Sequence, residues 1–318
     1  MICSVCVKVF SWLCSFFLIA GLSASVVLDS IITKAEEFNR PIVLFCLKEE
    51  PCPWSKILQE RLLSSHRFHK LLQQEAWIQS MYPESEENQI VKFAAPLMRM
   101  PCIVLLDPYG REFARFDYDQ AEPEEVAGKI LHLFDDFHEI CLAIDRGLNK
   151  VDERQLRVLY EQSKRLSDPV FTKLFLYKGC QLEKGVFFHL EKYALLLQKG
   201  AIKHPSVRKW KEKILSKDPD NRFSSHREIA WLEFRKRAQE SKGKEGVKKV
   251  ISPLLHYLKT WGDQEKEKWK IEAMLAKFLF ARDSLSLATE FAKKAYLDAP
   301  DDKRGEIRTA FSRMGVAL

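Results

Sequence analysis

The chain has 318 residues, 46% of them hydrophobic and 30% charged, with only 12 glycines and 13 prolines. That mixture excludes collagen-like and intrinsically disordered classes, and the length is enough for two domains, each with its own core. The net charge of +7 hides two unlike halves: residues 29–143 hold 12 Lys and Arg against 20 Asp and Glu, whereas residues 144–318 hold 38 against 24. Opposite signs favour docking of the halves on each other, or steering of a partner to one of them.

Residues 1–28 carry one charge, Lys8, followed by an apolar run from Val9 to Ala20 and the small-residue stretch Gly21-Leu22-Ser23-Ala24-Ser25. This is the order of a secretory signal. Val9 to Leu28 also matches the roughly 20 residues of a membrane anchor, but the short apolar core and the small residues after it favour the signal. Both readings export the rest of the chain, and membrane contact is expected only through this segment if it stays uncleaved. Trp12-Leu13 ahead of Cys14 lack the small residues of a lipidation signal. With Cys3, Cys6 and Cys14 in the leader, the exported part keeps Cys46, Cys52, Cys102, Cys141 and Cys180. An odd number leaves at least one thiol unpaired within the chain. The spacing fits neither a zinc site nor a disulfide scaffold.

The acidic part alternates between strand and helix patterns. Pro41 to Leu47 is a continuous apolar run, as in a strand buried on both faces. Ser55 to Gln74 carries Ile57, Leu58, Leu62, Phe68, Leu71 and Leu72 at largely helical spacing, and Ala76-Trp77-Ile78 marks a weaker strand. Cys102 to Leu106 is a second apolar run, closed by the turn Asp107-Pro108-Tyr109-Gly110. Arg111 to Phe116 alternates and completes a hairpin. A helix is predicted from Glu122 to Ile144, with Pro123 in its first turn and Glu124 and Glu125 at the positive end of its dipole. The predicted class is therefore an α/β domain over 29–145, a central mixed sheet flanked by helices, after a leader at 1–28.

Residues 146–318 show no comparable strands and read as an all-α domain of helical hairpins, separated at Asp168-Pro169, His204-Pro205, Asp218-Pro219, Ser252-Pro253 and Ala299-Pro300. In Lys268 to Ala281 and Leu285 to Ala299, the positions Leu275, Ala276, Leu279, Ala288, Ala292, Ala295 and Pro300 resemble a degenerate tetratricopeptide unit, with Glu272 and Ala292 where aromatics are usual. An unrelated helical bundle is the competing reading.

Within the first domain, a buried strand leads through a polar loop to Cys52-Pro53-Trp54-Ser55 at a helix start, and Met100-Pro101 enters a later strand that ends in Asp-Pro-x-Gly. Together these features resemble the thioredoxin superfamily, in the style of its exported members, over roughly residues 30–143. The resemblance implies a cis bond at Met100-Pro101 and a substrate surface formed by Trp54, Met100 and Pro101. It places Cys46 at or beside the position of a buried carboxylate in many thioredoxins. It also implies client proteins with cysteines or disulfides, no cofactor, and a location in the bacterial periplasm.

The local chemistry agrees with that resemblance. Pro53 suits the first helical position, which leaves Cys52 at the cap, facing unpaired N–H groups that stabilise thiolate, the attacking species. Lys48 and Lys56 favour the thiolate, and Glu49 and Glu50 oppose it. Ser55 stands where dithiol members carry a resolving cysteine. Cys52 alone permits isomerisation or mixed-disulfide handling but not a two-electron cycle within the tetrad, while the Ser55 hydroxyl retains the ability to donate to Cys52. Cys102 has two readings, an alternative resolving thiol or a small buried strand residue, and Cys46, Cys141 and Cys180 read as packing residues.

His66 and His69 lack a third ligand, so no metal is expected. There is no phosphate loop, nucleophile elbow or dinucleotide fingerprint. Arg208 to Lys213 reads as the wet face of a helix whose Trp210 and Ile214 turn inward. Nucleic acid is not an expected partner for an exported protein, whereas the basic helical domain offers a surface for a protein partner. Two functions follow: monothiol exchange at Cys52, or a non-catalytic scaffold in the cell envelope.

Overall fold

A computed structural model describes residues 26–48, 52–82, 100–166, 168–182, 185–241 and 246–315. The leader's apolar run therefore lies outside the described residues. Among those described, no helix is long and apolar enough to cross a membrane. The chain forms two compact units, Met1–Leu182 and Glu183–Leu318.

In the first unit, helix α1 (Val26–Phe38) precedes strand β1 (Ile42–Cys46), which is buried along its whole length. β1 runs parallel to β2 (Trp77–Met81) on one side and antiparallel to β3 (Cys102–Leu106) on the other. β3 pairs antiparallel with β4 (Glu112–Asp117), so the order is β2-β1-β3-β4. The two continuous apolar runs thus take the two central positions, where both faces are covered. Side chains alternate across the sheet. Ile42, Leu44, Cys46, Cys102, Val104 and Leu106 form one layer with Ala35 of α1 and Met81. On the other face, the Phe45 ring meets Phe68 edge-on at 5.8 Å.

The connection from β1 to β2 departs from the single helix predicted over Ser55 to Gln74. Helix α2 (Pro53–Leu58) widens into a π-turn at Gln59–Leu63, and a separate helix α3 (His66–Leu72) comes after it. Two serines make the break. Ser64 Oγ donates to Gln59 O at 3.0 Å, and Ser65 Oγ accepts from the Phe68 N–H at 3.3 Å as the cap of α3. Such local side-chain bonds compete with helix continuation. The offset turns Phe68 and Leu72 inward and leaves Leu71 exposed.

The β3–β4 turn forms as the sequence predicts. Asp107 Oδ1 accepts from the N–H groups of Tyr109 and Arg111, and Gly110 adopts a φ of 78°. A Cβ there would sit 2.6 Å from Ile32 Cδ1 of α1, so both conformation and space require glycine.

Helix α4 (Pro123–Arg146) packs back on the sheet, with Phe137 stacked on Phe113 at 4.2 Å. The same helix anchors the next two. α5 (Glu153–Arg165) starts with a capping box between Asp152 and Gln155. Its Arg165 donates twice, at 2.7 Å each, to the buried carboxylate of Asp136 on α4. α6 (Pro169–Leu182) brings Phe171 to Phe137. The compact unit therefore runs to Leu182, and the change in composition near residue 145 falls inside it.

The second unit is helical throughout its described residues: α7 (Phe187–Lys199), α8 (Pro205–Lys217), α9 (Ser225–Glu240), α10 (Val247–Trp261), α11 (Lys268–Ala281), α12 (Leu285–Asp298) and α13 (Asp301–Ser312). Pro205 opens its helix and Pro300 caps another, as helix-breaking prolines should. Pro253 does not separate segments, contrary to the prediction, but lies inside α10. A proline there strands the carbonyl four residues earlier. That carbonyl, Lys249 O, accepts from Arg237 Nη1 at 2.7 Å and Ser252 Oγ at 3.0 Å, so the helix continues. α11 and α12 form a tight hairpin in which Leu275, Ala276, Leu279, Ala288, Ala292 and Ala295 are buried. Glu272 is buried among them.

Candidate thiol site

β1 ends at Cys46, and α2 begins at Pro53. Lys48, just past β1, ties the two elements together: its N–H donates to Ser55 Oγ at 3.0 Å. Cys52 is the N-cap of α2, with extended backbone (φ −95°, ψ 113°) and Pro53 after it. Its carbonyl accepts the first helical bond, from the Lys56 N–H at 3.1 Å. Cys52 is partly exposed, Trp54 is 49% exposed, and Ser55 is buried.

These surroundings lower the Cys52 thiol pKa. The backbone N–H of Ser55 is the largest cause, opposed by partial desolvation and helped by the Ser55 hydroxyl, the Trp54 N–H and the charge of Lys48. No first-turn N–H meets the sulfur in conventional cap geometry. A thiol is a weak acceptor, and these donors gain most when the sulfur is ionised. Ser55 is held with its oxygen accepting from Lys48, which leaves its own proton for Cys52. Lys56 instead pairs with Glu60 at 3.7 Å on the surface. Glu49 and Glu50 lie outside the described residues.

The Met100–Pro101 peptide is cis, and both residues are partly exposed. Because β3 runs antiparallel to β1 with Cys102 opposite Cys46, Pro101 lies at the sheet end that also carries Lys48 and the start of α2. The topology thus gathers Cys52, Trp54, Ser55, Met100 and Pro101 at one end of the sheet. Cys102 is 1% exposed and its thiol is hydrogen-bonded to Cys46, itself fully buried. Cys46 is the residue whose partnership sequence reasoning missed. The signal is strand register: Cys46 ends β1, Cys102 begins β3, and antiparallel pairing sets the two opposite each other.

His66 is exposed and His69 Nε2 lies 2.8 Å from Leu63 O. Among the described residues, no group of three or more His, Cys, Asp or Glu forms a metal-binding cluster. Cys141 and Cys180 are partly buried on α4 and α6. In the basic stretch, Ile214 is buried, Lys211 pairs with Glu233 at 2.6 Å, and Lys213 Nζ lies 4.7 Å from the Trp210 ring centre.

No protein-family model matches the chain. Over 290 residues it is 26% identical to the thioredoxin-related protein DsbJ of Chlamydia pneumoniae, covering 87% of this chain and 82% of that one. A solved structure described as DsbH oxidoreductase aligns at 21% identity over 35% of this chain and 83% of its own, with a TM-score of 0.29. The match to a thioredoxin-related protein across nearly the whole length, together with the mixed sheet and the run of helices after it, identifies the chain as a thioredoxin-like domain continued by a helical region.

Proposed function

We propose that the chain is an exported thiol–disulfide exchange protein that acts through Cys52 as a monothiol. The carrying observation is a partly exposed cysteine that caps a helix ahead of Pro53 and has its thiol pKa lowered first by the Ser55 N–H and further by the Ser55 hydroxyl. Thiolate is the nucleophile in exchange, so this placement raises the reactive fraction near neutral pH. Attack on a client disulfide joins Cys52 to one client sulfur and releases the other. Ser55 has no sulfur with which to close the cycle. The mixed disulfide is then resolved by a client thiol, which gives isomerisation, or by a thiol from solution.

Exposed Trp54 and the Met100–Pro101 backbone supply the surface on which an extended client segment would lie beside Cys52. The leader pattern at residues 1–28, one charge ahead of a short apolar run and small residues, supports work in the periplasm, where disulfides persist. The helical region is assigned the recruitment of a protein partner, on the basis of its strong positive charge.

Acid trapping of the full chain after exposure to a disulfide-bonded model protein tests this reading. A covalent adduct mapped to Cys52, absent in Cys52→Ser, is the expected result. If Cys52 forms no adduct while the model disulfide stays accessible to other thiols, the exchange function is wrong.

A further inference from the structure

Cys46 and Cys102 are the last residue of β1 and the first of β3, and they face each other directly across the antiparallel pair. Directly opposed residues in such a pair lie about 4.5–5.5 Å apart between Cα atoms. Disulfides span about 4.4–6.8 Å. Both side chains belong to the same buried layer of the sheet, and their thiols share a hydrogen bond. Two packing cysteines need no such meeting; here the register places sulfur against sulfur, two residues from Lys48 and next to Pro101.

We propose that Cys46 and Cys102 form a second, internal dithiol that completes the reduction Cys52 begins. The inference rests on the exchange role of Cys52 and supplies what Ser55 lacks. Cys52 thiolate attacks a client disulfide, forming the Cys52–client bond and releasing one client thiolate. Cys102 thiolate attacks the Cys52 sulfur, and the second client thiolate leaves. Cys46 then attacks Cys102, which closes the Cys46–Cys102 bond and frees Cys52. Two electrons pass from the internal pair to the client disulfide, and the two protons lost by the pair are matched by the two client thiols formed.

The order of attack comes from position, and the shared hydrogen bond agrees with it. The thiol of Cys46 donates to Cys102 and holds the Cys102 pKa low against burial, with the Arg115 guanidinium assisting. The same bond, with burial, pushes Cys46 up. Cys102 follows the partly exposed Pro101 at the end of the sheet where α2 begins, so it is the attacking member and Cys46 closes the pair behind it. Burial of both keeps outside reagents away and makes the partly exposed Cys52 the route in.

The test uses the reduced full chain and oxidised glutathione as the disulfide, with acid quenching, alkylation and peptide mapping over time. The expected product is a Cys46–Cys102 disulfide with Cys52 free again and two glutathione thiols released per chain. Cys52→Ser should slow formation of that bond at least tenfold, and Cys46→Ala should leave an adduct on Cys52 or a Cys52–Cys102 bond. Persistent glutathione on Cys52, with Cys46 and Cys102 both still alkylatable after unfolding, overturns the internal pair and leaves the exchange role standing. Absence of any adduct or internal bond in the wild type overturns the exchange role and the pair with it. Formation of the bond at the same rate in Cys52→Ser overturns the route through Cys52. The wild-type measurement decides the main point without any variant.

Discussion

Replacing Glu272 by Gln should make the helical unit clearly more stable at pH 8 and change it much less at pH 5. Glu272 is 2% exposed, lies 3.9 Å from Lys268 Nζ, and has no hydrogen-bond partner for Oε2 among the described residues. Burial first, and the charge of Asp298 second, push its pKa from 4.5 up to about 7. The folded state therefore keeps its proton to a higher pH than the unfolded chain does. The stability this group supplies is full below about pH 4.5 and is lost as pH rises through about 7. At about 1.4 kcal/mol per pH unit, the loss is about 3 kcal/mol. Gln is isosteric and does not titrate, so it should recover most of that amount at pH 8. Urea denaturation followed by circular dichroism at pH 5, 6, 7 and 8 measures it. The wild-type transition should fall toward lower urea across this range, while the variant's should not. Equal pH dependence in the two proteins, or a variant less stable than wild type at pH 8, would refute the assignment of a buried, protonated Glu272.

Ser55→Ala removes the hydroxyl that assists the Cys52 thiolate and the acceptor for the Lys48 N–H. The Cys52 pKa should rise toward the ordinary cysteine value, so alkylation at neutral pH should slow and converge on the wild-type rate in alkaline solution. Ser55→Thr, which keeps both bonds, should stay near wild type. Gly110→Ala forces a side chain into a left-handed turn and against Ile32, with an expected cost of about 1–3 kcal/mol in urea or thermal melts of the first unit. Asp136→Ala leaves Arg165 without its two-bond partner. Because that guanidinium is 44% exposed and water can replace the carboxylate, the loss should be about 1–3 kcal/mol, with faster hydrogen exchange along α5.

The sheet was legible because its central strands have nothing polar in them: Ile42 to Cys46 and Cys102 to Leu106 can only be covered on both faces. The tetrad was legible because Pro53 and the polar loop before it mark a helix start, and the structure puts Cys52 at the cap. Features that depend on particular side-chain bonds were not. The break at Ser64 and Ser65 interrupts a pattern whose apolar spacing continues through it. Pro253 looks like a stop, yet Arg237, from the preceding helix, supplies the donor that lets the helix go on. The compact limit at Leu182 is set in part by Arg165 and Asp136, a pair 29 residues apart that composition cannot reveal. Cys46 and Cys102 are each ordinary buried strand residues by pattern, and only the register makes them a pair.

Exchange through Cys52 requires an ionised, accessible thiol in the folded chain. Its most direct test is the rate of iodoacetamide labelling at Cys52, resolved from the other cysteines by peptide mass spectrometry and followed as a function of pH under native conditions. Rapid labelling that reaches half its maximum below the ordinary cysteine value of about 8.5 is the expected result. A native Cys52 that does not label, or labels with its half-maximum at or above that value, would contradict the exchange role.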